Sequence, residues 1–287
     1  MGDPIRSGAL ARAAAIAVLL LLGPAAEAAP KADLWPRWQA HDPTATTTID
    51  HGAWAAFLDR YLVVVDGGAN RVAYGAVSES DRAALDGYVA RLEAVPISAY
   101  RRDEQMAFWI NLYNAMTVQV VLEHYPVESI RDIDISPGLF SDGPWGKKLV
   151  GVEGEELSLD DIEHRILRPI WRDPRIHYVV NCASIGCPDL RPEPYRSDRL
   201  EDQLEAATRD YVNDPRGARI DDGALTVSSL YRWYEVDFGG SEPAVLEHLG
   251  RYAEPALARA LGGFSEIDEY RYDWRLNDAR RAPAARS

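Results

Sequence analysis

The sequence predicts an α+β fold, a single mixed domain in which a buried central helix packs on a small antiparallel sheet. Three observations carry this reading. The stretch DEQMAFWINLYNAMTVQVVLEHY, from Asp103 to Tyr125, is apolar on every face through its middle, the pattern of a helix buried all round. Short β-rich runs turn at Glu153-Gly154 and at Asp222-Gly223, dipeptides suited to tight hairpins. Helical and extended segments are interspersed without a βαβ rhythm, which separates the chain from doubly wound α/β proteins.

Residues 1–28 have the layout of a secretory signal. Arg6 and Arg12 precede an apolar run from Ala13 to Leu22, and Ala26-Glu27-Ala28 forms a small-x-small cleavage site. The run falls short of the about 20 apolar residues that span a bilayer. The expectation is cleavage after Ala28, a periplasmic or extracellular protein, and no stable membrane insertion after cleavage. Residues 29–45 then read as an N-terminal extension, 46–278 as one domain without linker or repeat, and 279–287 as a disordered tail.

Within the domain, Asp50 reads as the N-cap of a helix presenting Trp54, Phe57, Leu58 and Tyr61 on one face. Ser78-Glu79-Ser80-Asp81 opens a second helix, striped by Leu85, Tyr88, Val89 and Leu92, that ends before Pro96. The third, central helix stops at Pro126 and carries Asn111 and Asn114, three residues apart and therefore on one face. A buried amide left unbonded costs about 1–3 kcal/mol, so these two either clamp neighbouring backbone or belong to a polar site. Lys147 to Leu157 reads as a hairpin. Ser158-Leu159-Asp160-Asp161 reads as a capping box for a helix bearing Glu163, His164, Leu167 and Arg168. After the break at Asp173-Pro174-Arg175, Ile176 to Asn181 reads as a short strand with His177, Val179 and Asn181 on one face. A helix from about Asp198 to Tyr211, a hairpin from Arg219 to Val227, the segment LYRWYEVDF, two short helices and a final EYRYDW strand complete the domain.

With 31 Lys and Arg against 45 Asp and Glu, the net charge is −14, which repels a phosphate backbone and argues against a nucleic-acid partner. Two cysteines are too few for a disulfide scaffold, but they fall in the densest polar constellation, RIHYVVNCASIGCP. Three readings compete for Cys182 and Cys187. A disulfide closing the small loop between them suits an exported protein and is narrowly favoured by that redox context. A catalytic thiolate needs an imidazole nearby: His177 and His164 are the candidate bases, with Asn181, Asn111 or Glu163 to orient one. A C-x4-C spacing without a second pair is a poor zinc site, so no metal is expected. The sequence has no P-loop, GxGxxG, HExxH or EF-hand loop, and no cofactor is expected.

The blocks FWINLYNA (Phe108 to Ala115), LSLDDIEHRILR (Leu157 to Arg168), DPRIHYVVNCASIGCPDLR (Asp173 to Arg191), LYRWYEVDF (Leu230 to Phe238) and YDWRLN (Tyr272 to Asn277) occur in this order. Through them the chain from about Asp50 to Asn277 resembles the domain of unknown function 547 family (DUF547). The resemblance implies a polar set falling on Asn111, Asn114, Glu163, His164, Arg175, His177, Cys182 and Cys187, and it implies no reaction. A kinship with papain-like or transglutaminase-like cysteine enzymes would suit a buried helix packed on a sheet bearing His177. Those enzymes, however, place the nucleophile at a helix N-terminus and the histidine on a later strand; here the helix carries Asn111 and the cysteines follow the histidine.

The resulting expectation is a Cys/His-dependent hydrolase or acyl transferase acting on an amide or ester in a small-molecule or peptide substrate. Cys182 is its nucleophile, His177 its base, and Asn111 or Asn114 an orienting or oxyanion group. Arg175 would meet a substrate carboxylate, with Glu163, His164 and Cys187 also in the binding site. The alternative is a non-catalytic envelope domain with a structural Cys182–Cys187 disulfide.

Overall fold

The computed structural model describes residues 30–138 and 143–281. The expected signal segment, residue 29, residues 139–142 and residues 282–287 lie outside the described residues. Ala279–Arg281, within the expected tail, forms a 3-10 turn.

Residues 30–45 are built into the domain. Pro36–Gln39 is a 3-10 turn, and Trp38, 2% exposed, packs edge-on against Trp109 with ring centroids 5.1 Å apart. α1 (Gly52–Tyr61) starts one residue later than Asp50 would place it; the Asp50 carboxylate still accepts the Gly52 N–H at 2.8 Å. β1 (Leu62–Val63) and β2 (Arg71–Val72) form a short antiparallel pair. α2 (Glu79–Glu93) is capped by Ser78, whose Oγ accepts the Asp81 N–H.

α3 (Arg102–His124) is buried without interruption from Glu104 to Val118, as its all-round apolar pattern predicts. It is not laid on a sheet: α2 and the π-helix described below flank it. The side of α3 that breaks the apolar pattern explains the difference. Glu104, Asn111 and Asn114 sit seven and three residues apart and hold irregular backbone instead of facing a strand ladder. Glu104 accepts from Ile49 N at 2.7 Å and from Ser197 Oγ. Asn111 donates to Tyr195 O at 2.8 Å and accepts from Tyr195 N at 2.9 Å. Asn114 donates to Val179 O at 2.9 Å and accepts from Asn181 N at 2.8 Å. One helix face thus pins the segment at residues 179, 181, 195 and 197.

β3 (Val150–Val152) and β4 (Glu155–Leu157) form the expected hairpin, with φ of 47° at Glu153 and 83° at Gly154 as a two-residue type I′ turn requires. Ser158 and Asp161 form a reciprocal cap, Ser158 Oγ accepting Asp161 N–H and Asp161 Oδ2 accepting Ser158 N–H. The helix they open is a π-helix, Asp161–Leu167, continuing as α4 (Arg168–Trp171). Pro169 supplies a reason for the irregularity: it has no N–H to return to the preceding turn. The carbonyls of His164 and Arg165 are bonded from outside instead, by the N–H groups of Asp33 at 2.9 Å and Trp35 at 3.0 Å. In a π turn residues five apart share a face, which turns both Glu163 and Arg168 inward.

The strand expected over Ile176 to Asn181 is a 3-10 turn, Pro174–Tyr178. The Asp173 carboxylate accepts the Arg175 N–H at 2.9 Å and Pro174 fixes the first helical φ, a helix-start signal that outweighs the β-branched composition after it. A loop then leads to α5 (Leu200–Val212). β5 (Ala218–Asp221) and β6 (Ala224–Ser228) form the second hairpin, and α6 (Leu230–Trp233), α7 (Glu242–Tyr252) and α8 (Pro255–Leu261) follow. β7 (Glu269–Arg271) adds to β6 in parallel, so the largest sheet is mixed. Helices with small peripheral sheets make this an α+β fold. Among the described residues no helix is long and apolar enough to cross a membrane.

Candidate functional site: a thiol pair beside a buried carboxylate–histidine network

Cys182 lies in the loop that leaves the 3-10 turn, and several bonds immobilise this loop. Asn181 accepts from Ala183 N at 2.9 Å and donates to Pro188 O at 2.7 Å. Ile185 and Gly186 donate their N–H groups to Arg275 O and Asp273 O, both at 2.8 Å. Arg216 donates to Ile185 O and Cys187 O. Gly186 is obligatory here, because a Cβ would sit 2.7 Å from Asp273 N. Ala183 is held at φ 58°, an uncommon conformation for a residue with a side chain, and such strain is retained where the surroundings over-determine it.

The two cysteines are free thiols with their sulfurs 2.9 Å apart; the expected disulfide is not formed. Cys182 Sγ also lies 3.2 Å from Ser184 Oγ and 3.1 Å from Tyr272 OH, and Cys182 N–H donates to Cys187 Sγ at 3.0 Å. A sulfur ringed by donors favours its anion. The Cys187 thiol above all, then Ser184 and Tyr272, overcome the opposing burial and lower the Cys182 titration below the ordinary thiol range. Burial drives Cys187 the other way, well above that range.

Glu163, His164 and Arg168, all buried, form the adjoining wall with His177 and Asp237. Arg168 Nε donates to Asp237 Oδ2 at 2.6 Å, its Nη1 to Pro30 O at 2.6 Å, and His177 Nε2 donates to the same Asp237 oxygen at 2.7 Å. His177 Nδ1 faces Glu163 Oε1 at 3.7 Å, beyond hydrogen-bond range, and has no other partner. Tyr113 OH donates to Glu163 Oε2 at 3.1 Å. The His177 ring stacks on Tyr234 with centroids 4.0 Å apart, and Arg168 covers the same ring at 4.8 Å. Burial opposes ionisation of Glu163 and Asp237, but the neighbouring histidines and Arg168 hold both carboxyls below their ordinary range. His164 is lowered to about 4, chiefly by burial. Burial raises Asp160 to about 6, with Glu163 and Asp161 adding repulsion.

A cavity of about 390 Å³ joins the two groups: Cys182, Cys187, His177, His164, Glu163 and Asp160 all line it. Its remaining wall is largely aromatic, with Trp233 against Tyr272 and Trp274 (centroids 4.8 and 5.5 Å) and Trp145 against Trp274 (5.8 Å).

Of the residues singled out from the sequence, Cys182, Cys187, His177, His164 and Glu163 therefore meet at one cavity. Asn111 and Asn114 do not line it; each spends its amide oxygen and one N–H on backbone away from the cavity. Arg175 lies elsewhere, saturated by Asp173 at 2.7 Å and Glu201 at 2.6 Å. His177 cannot serve as the base of Cys182 in this arrangement. On the 3-10 turn both its ring nitrogens face carboxylates, and no hydrogen bond joins it to either sulfur among the described residues. Reasoning from sequence passed over Tyr272, Asp237, Asp160 and Tyr234, although Tyr272, Asp237 and Tyr234 lie in the blocks YDWRLN and LYRWYEVDF. Among the described residues no group of three or more His, Cys, Asp or Glu side chains is arranged to hold a metal ion.

No curated protein and no solved structure matches the chain. A family model described as a protein of unknown function, DUF547, matches residues 97–212, the stretch that carries α3, the π-helix and both cysteines. Over that segment the chain is similar to the DUF547 family, whose description assigns no reaction.

Proposed function

We propose that the protein is a cysteine-dependent acyl-transfer enzyme, a hydrolase or transferase acting on a small amide or ester held in the aromatic-walled cavity. One observation carries the reading: Cys182 Sγ is at the cavity wall with the hydroxyls of Ser184 and Tyr272 at 3.2 and 3.1 Å, a setting that favours the nucleophilic thiolate. In this reading Sγ attacks the substrate carbonyl, a C–S bond forms and the C–N or C–O bond breaks, giving a thioester that water or a second acceptor releases. Asp160, raised toward neutrality to about 6 by burial, is the carboxyl that exchanges a proton with the leaving group. Glu163 and His177, held from behind by Asp237 and Arg168, position the substrate and keep the cavity polar on one side. The leader-like residues 1–28 support a periplasmic or extracellular site of action.

The test is acyl trapping. Purified protein is mixed with an activated acetyl ester and its intact mass recorded at short times, followed by peptide mapping. The mass of one acetyl group should appear on Cys182 and then decay, and Cys182→Ser should lose both the adduct and the turnover. Turnover surviving in Cys182→Ser, or acetyl mapping only to other side chains, overturns the reading.

A further inference from the structure

The Cys182–Cys187 contact goes beyond what acyl transfer requires. A hydrolase needs one thiolate, yet here a second, buried sulfur sits 2.9 Å from the first. The backbone carrying both is fixed at every step by Asn181, Arg216, Tyr211 and the segment from Asp273 to Arg275. Even Cys187 N–H is committed, to Ser184 O at 3.2 Å. The two sulfurs are therefore held together before any reaction, which gives the second thiol a high effective concentration at the first. They are also unequal: both border the cavity, but Cys182 is partly exposed whereas Cys187 is only 4% exposed. One accessible attacking sulfur and one sheltered sulfur in contact is the arrangement that thiol–disulfide exchange needs.

From this geometry we infer that the protein has a second activity, reduction of a low-molecular-weight disulfide with Cys182 as the attacking and Cys187 as the resolving cysteine. A cavity of about 390 Å³ admits a small disulfide and not one set in the surface of a folded protein. The Cys182 thiolate attacks one sulfur of RS–SR; the substrate S–S bond breaks and RS⁻ leaves, taking up a proton as RSH. Cys187 then attacks Cys182 Sγ in the mixed disulfide; the second RS⁻ leaves with the proton that Cys187 surrenders. Two cysteine thiols are oxidised to one intramolecular disulfide and one substrate disulfide is reduced to two thiols. This step uses the nucleophile assigned to acyl transfer but none of the carbonyl chemistry, so either activity can stand without the other.

The experiment uses the reduced full-length protein and hydroxyethyl disulfide, followed by intact mass after acid quench and by release of free thiol. Wild type should lose two hydrogens and release two thiols per protein, and dithiothreitol should reverse the change without denaturant. Cys187→Ser should stop at a mixed disulfide on Cys182 and release one thiol; acyl trapping is read separately, on wild type with the activated ester. Cys182→Ser should not react. A wild-type protein that halts at the mixed disulfide, a Cys182→Ser variant that reacts at the wild-type rate, or a disulfide that dithiothreitol opens only after unfolding would overturn the inference. Should Cys187→Ser fail to fold, the one-thiol then two-thiol time course of wild type decides alone.

Discussion

Tyr272→Phe isolates the interaction on which both activities depend. The substitution removes one hydroxyl, 3.1 Å from Cys182 Sγ, and keeps the ring that packs against Trp233 at 4.8 Å and Trp274 at 4.6 Å. A hydrogen bond to a charged group contributes about 1.5–3 kcal/mol, and about 1.4 kcal/mol corresponds to one pH unit of titration. The bond favours the thiolate over the thiol, so its loss should raise the Cys182 midpoint by roughly one to two pH units. The assay is the rate of iodoacetamide alkylation at Cys182 against pH, read by peptide mass, with thiolate absorbance near the ultraviolet edge as a check. Ser184→Ala should raise the midpoint less, because the Ser184 hydroxyl has an alternative acceptor in Tyr272 OH at 3.0 Å. An unmoved or lowered midpoint in Tyr272→Phe would refute the argument that these hydroxyls add to the Cys187 thiol in lowering the Cys182 titration.

Other consequences concern stability. Asn114→Ala strands Asn181 N–H and Val179 O in the interior and should cost about 2–4 kcal/mol in urea unfolding; a loss below the scatter of repeat titrations would show that the clamp is dispensable. Arg168→Met leaves Asp237 and the Pro30 carbonyl without their buried partner and should cost about 3–5 kcal/mol; Tm by calorimetry checks it, and an unchanged Tm contradicts it. Trp38→Ala should cost about 3–5 kcal/mol as a core truncation, measured by the same unfolding. Burial lowers His51, His164 and His248 each to about 4. The unfolded chain therefore binds protons first, and stability should fall as pH drops from about 6.5 toward 4. At pH 5 each contributes a loss of about 2 kcal/mol, offset in part by Asp160, whose raised carboxyl takes up protons in the fold from about 6 downward. Stability that is flat or rising between pH 7 and pH 5 would contradict this.

The sequence spoke most clearly where one local rule governs. Glu153-Gly154 and Asp222-Gly223 forced their hairpins, Ser78 and Ser158 capped their helices, and the apolar run of α3 had no face to show to water. It spoke less clearly where two rules compete. At Asp173-Pro174 a helix-start signal met the β-branched run of Val179 and Val180, and the start signal won, turning His177 toward Asp237. The π turn at Asp161–Leu167 was hidden because its cause is remote: Pro169 frees two carbonyls, and residues 33 and 35 bind them from more than a hundred positions away. The thiol pair was legible as a pair, since Cys182 and Cys187 are close in sequence. Their partner Tyr272 comes from the far end of the chain, and no spacing rule connects it to position 182.

The aromatic wall of the cavity gives the protein a built-in optical reporter. Three of its eight tryptophans, Trp145, Trp233 and Trp274, border the space that a substrate would fill, and Cys182, a sulfur able to quench indole emission, borders it with them. Occupancy by a ligand should alter their intrinsic fluorescence whatever reaction follows, so a library of small amides, esters and disulfides can be screened for binding without a label and before turnover is detected.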